Sequence, residues 1–180
     1  MQRRAKMAVL LLTVMLSAGA LSAKQRVTGY GTVFSGKETG VSAVFDSGRS
    51  AMHLSLMCDL HGLLRGRVSS PGVKAIYNIE YSIKSWRVSE ECEIRYFVGP
   101  GISFGYVADT DNDKFGGMAA LYGNTGFSFN FSSDIAIKLY LSGELGFHLD
   151  MNSTFDTSMR VYGAGLRNVL CPQLSIIYSF

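Results

Sequence analysis

From Ile135 to Asp150 apolar and polar positions alternate. Ile135, Ile137, Leu139, Leu141, Leu145, Phe147 and Leu149 share one face; Lys138, Tyr140, Ser142, Glu144, His148 and Asp150 share the other. Successive side chains of a strand point to opposite faces, so a period of two predicts a β-strand, not a helix. The same alternation runs through Met52 to Leu60, Val73 to Lys84, Glu93 to Tyr106 and Phe115 to Phe131. Val27 to Phe34, Glu38 to Asp46 and Cys171 to Phe180 also have strand character, which brings the expected number to eight. Turn-forming residues separate these stretches at Ser35 to Lys37, Asp46 to Arg49, Gly62 to Gly72, Ser85 to Glu91, Asp109 to Lys114 and Ser132 to Asp134, with a long loop expected from Met151 to Leu170. With both termini on one side, Asp46 to Arg49, Ser85 to Glu91 and Ser132 to Asp134 lie there too, and most of the longer loops lie opposite.

Alternation alone does not say whether the apolar face packs a core or meets lipid. A tilted strand needs about 9–11 residues to cross the hydrocarbon of a bilayer, and the five clear stretches reach that length. The polar face is rich in small residues, with Gly99, Gly101, Gly105, Gly116, Gly126 and Gly146 among Lys, Glu, Asn and Tyr, as a narrow and crowded lumen requires. With 20 Gly and only 3 Pro, the chain suits a closed antiparallel sheet without a free edge. The expected fold is therefore all-β: a transmembrane up-and-down antiparallel barrel of eight strands over residues 24–180.

The first residues read as an export address. Met1 to Lys6 is basic, Met7 to Leu16 is apolar, and small residues follow, so residues 1–23 are expected to form a signal peptide cleaved after Ala20 or Ala23. The apolar stretch is shorter than the roughly 20 residues of a membrane-spanning helix. Of the 17 Lys and Arg, Arg3, Arg4 and Lys6 belong to this segment; without them the balance against 14 Asp and Glu is neutral. A neutral chain neutralises few phosphates, which argues against nucleic acid as a partner.

The last residues carry a second signal. Leu174, Ile176, Tyr178 and the final Phe180 are in step on one face. This ending resembles the terminal strand of bacterial outer-membrane proteins, and Val27 to Phe180 as a whole resembles the small eight-stranded barrels of the OmpA-transmembrane and OmpX type. The resemblance implies that Leu174, Ile176, Tyr178 and Phe180 form an assembly signal read by the barrel assembly machinery. It also implies a cell outer-membrane location, outer-membrane lipid and lipopolysaccharide as surroundings, and a monomer. No peptidoglycan-binding domain is expected after the barrel, so an anchoring role finds no support. What remains is a structural, surface-interaction or narrow-permeation role.

An eight-stranded barrel is barely wide enough for its own side chains. Parity directs His53, Asp59, His61, Lys74, Glu80, Lys84, Glu93, Arg95, Lys138, Glu144, His148 and Asp150 inward. Unpaired charges are costly there, so Arg95 or Lys138 is expected to pair with Glu80, Glu93 or Glu144 in a lumen charge network. Two other classes compete: a lipid-modifying outer-membrane enzyme, and a soluble lipocalin-like binder with its apolar face inside. His53-Leu54-Ser55 and His148-Leu149-Asp150 are the tempting catalytic groupings, but both point into the lumen and neither matches the His-x-Ser-Asn pattern of outer-membrane deacylases. No catalytic, cofactor or metal site is expected.

Other motifs weaken on inspection. Cys58, Cys92 and Cys171 are odd in number and differ in face, which predicts free thiols. Gly99-Pro100-Gly101 lies inside a strand and predicts a bend or bulge. Asp109 to Asp113 lacks the Gly and Glu of a calcium loop. Tyr77, Tyr81, Trp86, Tyr96, Tyr106, Phe115 and Phe131 fall toward strand ends, where rings favour a membrane interface. Arg65, Arg67, Arg160 and Arg167, in the expected outer loops, are candidate lipopolysaccharide contacts.

Overall fold

The computed structural model describes residues 28–47, 50–64, 66, 70–108, 115–131, 134–151, 157–164 and 171–180. The expected signal peptide, the Asp109 to Lys114 loop, Arg65, Arg67 and Arg167 lie outside these residues. The strands are β1 (Gly29–Ser35), β2 (Glu38–Asp46), β3 (Ser50–Asp59), β4 (Gly72–Arg87), β5 (Cys92–Ala108), β6 (Phe115–Phe131), β7 (Ile135–Met151), β8 (Thr157–Ala164) and β9 (Cys171–Ser179), with one short helix, α1 (His61–Leu64). All pair antiparallel, each with its sequence neighbour from β1 to β7, and β9 closes the ring against β1.

Nine segments fill eight wall positions. β7 pairs with β9 through Ile135 to Ser142 and with β8 through Leu145 to Met151, so β8 and β9 stand end to end in one place. This corrects the expected Met151 to Leu170 loop, which contains β8. The turn expected at Ser85 is also shorter, because β4 continues to Arg87.

Register fixes the shape. Stepping between partners from Thr32 through Val41, Leu56, Ala75, Phe104 and Ala119 arrives on β7 at Phe147. The opposite route through Ile176 arrives at Ile137, ten residues away. That offset is the shear of the barrel. With eight strands it sets a tilt of about 40° and a backbone radius of about 8 Å. Such an interior is filled by side chains.

Cross-strand partners share a face, so one parity assignment propagates around the ring. The outward row of β1 to β7 and β9 is apolar, aromatic or small, with Leu121 and Tyr30 among its most exposed members at 70% and 59%. The inward row holds the polar and charged residues, many of them buried: Glu38, Ser42, His53, Lys74, Asn78, Glu80, Asn124, Lys138, Glu144 and His148. One irregularity breaks the parity. Ser82 pairs with Phe97 but Lys84 pairs with Tyr96, leaving a bulge at Ile83. Beyond it the faces of β4 exchange, so Lys84 and Trp86 join the outward row. The inward position expected for Lys84 is corrected by that extra residue. No bulge occurs at Gly99-Pro100-Gly101. There the β5–β6 register is unbroken, and Pro100 merely lies between Asn78↔Gly101 and Tyr81↔Val98 in the ladder to β4.

Ring contacts fasten the outward face near both rims. Tyr106 stacks on Phe115 at 5.7 Å, and Tyr30 meets Phe180 at 5.8 Å. On the rim that holds both ends of the described chain, the backbone N–H groups of Ser179 and Phe180 donate to the carbonyls of Asp134 and Thr28. Asp134 has φ 62°, a left-handed conformation that Asp tolerates in a tight turn.

Candidate functional site: the charged lumen

Three ionic groups among the described residues are strung along the lumen. Lys138 of β7 reaches across to Glu80 of β4, and its ammonium pairs with Glu80 Oε2. His53 Nε2 lies 3.0 Å from Lys138 Nζ and 3.1 Å from Glu80 Oε2, accepting from the ammonium or donating to the carboxylate according to its tautomer. Asn124 Nδ2 donates to Glu80 Oε1 at 3.0 Å, and the Phe97 ring centroid is 5.1 Å from Lys138 Nζ. Five consecutive strands thus contribute to one cluster.

Gly99 makes room for it. A Cβ there would meet Asn124 Oδ1 at 2.1 Å, Glu80 Cγ at 2.9 Å and Asn78 Nδ2 at 3.0 Å. The lumen glycines at 101, 105, 116, 126 and 146 are similarly confined, each with neighbouring backbone closer than a Cβ permits. Small residues are therefore what allow long charged ones to fit.

In the second group, Lys74 Nζ donates to Glu38 Oε1 and to Glu144 Oε2, both at 2.7 Å. Glu144 was expected with Lys138 or Arg95; instead Lys74 holds it. Glu144 stands six residues beyond Lys138 on β7, about 20 Å along the strand, so the two belong to different levels. Glu38 was not among the expected network residues. Its signal was its parity with Ser42 and Val44, hidden because β2 begins at Glu38 itself.

The third group lies at the terminal rim, where Arg95 Nε and Nη2 donate to Glu93 Oε2 at 3.0 and 2.8 Å. Both side chains are about one-third exposed (35% and 33%), so this pair contributes little, on the order of 0–1 kcal/mol.

Two cavities flank the Lys138–Glu80 pair, and both residues line both of them. One, of about 80 Å³, opens toward Asp46, Ser50, Ser82, Arg95 and Asn130. The other, of about 20 Å³, lies among Ser42, Asn78, Tyr122, Asn124, Tyr140 and Gln173. Ser42 Oγ, Asn78 Nδ2 and Asn124 Oδ1 have no partner among the described residues, and the smaller cavity is polar and large enough for a water to serve them. Above it Val33, Met57, Ile76 and Tyr122 form an apolar plug packed against Tyr140.

The remaining candidates are dispersed. His148 is fully buried and donates from Nε2 to the Val107 carbonyl at 3.0 Å. It stands on β7 ten residues beyond Lys138, the neighbour of His53. The side chains of His61, Asp150 and Arg160 lie outside the described residues. Cys58, Cys92 and Cys171 are free thiols. Among the described residues no group of three His, Cys, Asp or Glu is arranged to hold a metal. Leu174, Ile176, Tyr178 and Phe180 follow one another along the outward row, the last three 44%, 57% and 68% exposed.

No protein-family model and no curated protein matches the sequence. Among solved structures, the chain is similar to the N-terminal β-barrel domain of Pseudomonas aeruginosa OprF. The two share 13% identity and a TM-score of 0.57, over 87% of this chain and 98% of that one. At this identity the likeness concerns the fold: an eight-stranded closed antiparallel barrel of the kind found in an outer-membrane protein.

Proposed function

We propose that the chain is an integral outer-membrane barrel of the small OmpA-transmembrane and OmpX type. In this reading it is a monomeric, non-catalytic structural and surface-interaction protein of a Gram-negative envelope, and its lumen is plugged by its own side chains. The observation that carries the reading is the distribution of charge. Across β1 to β7 and β9 the outward row holds one charged residue, Lys84, while every buried ion pair among the described residues is inside. A soluble barrel faces its charges to water and its apolar residues to a core, the reverse of this arrangement. β4 to β7, of 16–17 residues, exceed the length needed to cross the hydrocarbon, and β2, β3 and β9 have 9 or 10.

The rim with Phe180 and the short turns then faces the periplasm, with Leu174, Ile176, Tyr178 and Phe180 offered to the barrel assembly machinery. The opposite rim carries the loops toward lipopolysaccharide. In this reading Lys138–Glu80 and Glu38–Lys74–Glu144, with the apolar plug between them, stand across the lumen and close it to solutes. Permeation is then confined to what passes when those pairs part. The test is heat modifiability. The tagged chain, extracted from the outer-membrane fraction, migrates faster on a gel unheated than boiled. A single heat-insensitive band in the soluble periplasmic fraction would sink the proposal.

A further inference from the structure

Lys84 is the exception on the outward row, and its surroundings are specific. The bulge at Ile83 adds one residue to β4 and turns Lys84 and Trp86 from the inward to the outward parity. The register places Lys84 beside Tyr96 and Trp86 beside Ile94, four to two residues from the terminal-rim end of β5. Its ammonium lies 5.2 Å from the centre of the Trp86 ring. Among the described residues no carboxylate pairs with it, and its outward neighbours, Tyr81, Trp86, Ile94, Tyr96 and Phe127, carry no charge.

A cation that ends an otherwise uncharged apolar face has to find its counter-charge beyond the hydrocarbon. The Lys stem packs on apolar surface while its head reaches the interface, and Trp is the side chain most at home at that depth. We infer that Lys84 and Trp86 form a binding site for the headgroup of an anionic phospholipid at the rim that holds the chain's C-terminus. Trp86 packs against the glycerol region and Lys84 neutralises the headgroup. The inference rests on the membrane reading above and adds a partner and its leaflet to it. The bulge is the device that makes the site. Without the extra residue, the parity of β4 sends Lys84 into the lumen, beside Arg95.

Trp86 is the only tryptophan of the chain, so its emission reports on this position alone. The full chain is folded into phosphatidylcholine vesicles containing a fraction of brominated phosphatidylglycerol, or into the converse mixture with the bromine on phosphatidylcholine. The heat-modifiable band is recorded on the same samples. The wild type is expected to show an apparent preference for the anionic lipid at Trp86 of about fivefold, the effect of one basic side chain at a charged surface. Lys84→Arg keeps the preference and Lys84→Gln reduces it to parity, with the folded band unchanged in both. Replacing chloride with inorganic phosphate at equal ionic strength leaves the preference intact; its loss would indicate a site for soluble anions and overturn the proposal. Equal quenching by the two lipids in folded wild type, or a preference that survives Lys84→Gln, also overturns it. A wild-type chain that never gives the folded band overturns the membrane reading and this site together.

Discussion

Replacing Lys138 with Met leaves Glu80, only 6% exposed, as a buried carboxylate with His53 and Asn124 but no cation. Breaking a buried pair from one side costs about 3–5 kcal/mol. Glu80→Gln removes the charge from the other side. It keeps an oxygen for Asn124 Nδ2 but turns an amide toward the ammonium, and Lys138 is left with His53 and the face of Phe97. That substitution falls in the same range. The double replacement Glu80→Gln/Lys138→Met buries no charge and preserves volume, so it is expected within about 1 kcal/mol of wild type. The two changes are therefore strongly non-additive, with a coupling of about 5 kcal/mol or more. Urea unfolding of the vesicle-inserted protein, followed by Trp86 emission and by the heat-modifiable band, measures all four corners of the cycle. Both residues line the cavities on either side, so the charge left unpaired in each single variant is expected to draw water between the two spaces and raise planar-bilayer conductance above that of wild type. Single-variant losses below about 1 kcal/mol, or a double variant that equals the sum of the singles, would refute the assignment of this pair as the central closure.

Lys74→Met is expected to cost more than Glu144→Gln, since the first strands two buried carboxylates while the second leaves Lys74 its bond to Glu38; the same urea titration ranks them. Gly99→Ala pushes a methyl into the space of Asn124 and Glu80 and is expected to lose about 1–3 kcal/mol, whereas Gly123→Ala, whose Cβ position meets nothing within 4 Å, is expected to lose less than half of that. Phe180→Ser removes a ring that is 68% exposed and touches Tyr30, so the refolded barrel should keep its urea midpoint within the error of a surface change. If the ending is an assembly signal, quantitative blotting of membrane fractions shows severalfold less of this variant in the outer membrane of cells; equal amounts there remove Phe180 from that role.

Alternation made β4 to β7 legible because each is long enough for period two to stand clear of chance, and the parity read from Ile135 to Asp150 agrees with the observed faces wherever they are described. β8 stayed hidden for a physical reason: Thr157 to Ala164 interleaves Thr, Met, Val and Gly with Ser, Arg, Tyr and Ala, so neither face is clearly apolar. What identifies it is pairing with Leu145 to Met151, a long-range relation that no local window contains. The partner of Glu144 was missed in the same way. Parity gives the face of a side chain but not its level around a sheared wall, and a shear of ten residues brings Lys74, not Lys138, alongside it. Lys84 shows the third limit, since one extra residue reverses every parity after it. Ile83 is apolar, like the outward positions before it, so nothing in the local composition marks where the extra residue falls.

Shear also explains why this lumen alternates between glycine and long ionic side chains. A backbone radius of about 8 Å leaves space for a few large groups per level, so each large group requires a small one opposite or beside it. Glu80 and Asn124 occupy the space that Gly99 leaves, and Lys74 has Gly105 as its cross-strand partner. A wall of uniformly medium side chains fills the same volume without charges, but it fixes no register. An ion pair reaching from β4 to β7 is satisfied in one pairing of the strands alone, because a slip of a single residue exchanges the faces and sends Lys138 outward. The same rule that places Lys84 outside through a bulge therefore gives the buried pairs their second role: they hold in place the register that keeps the other described charged side chains of β1 to β7 on the inward face.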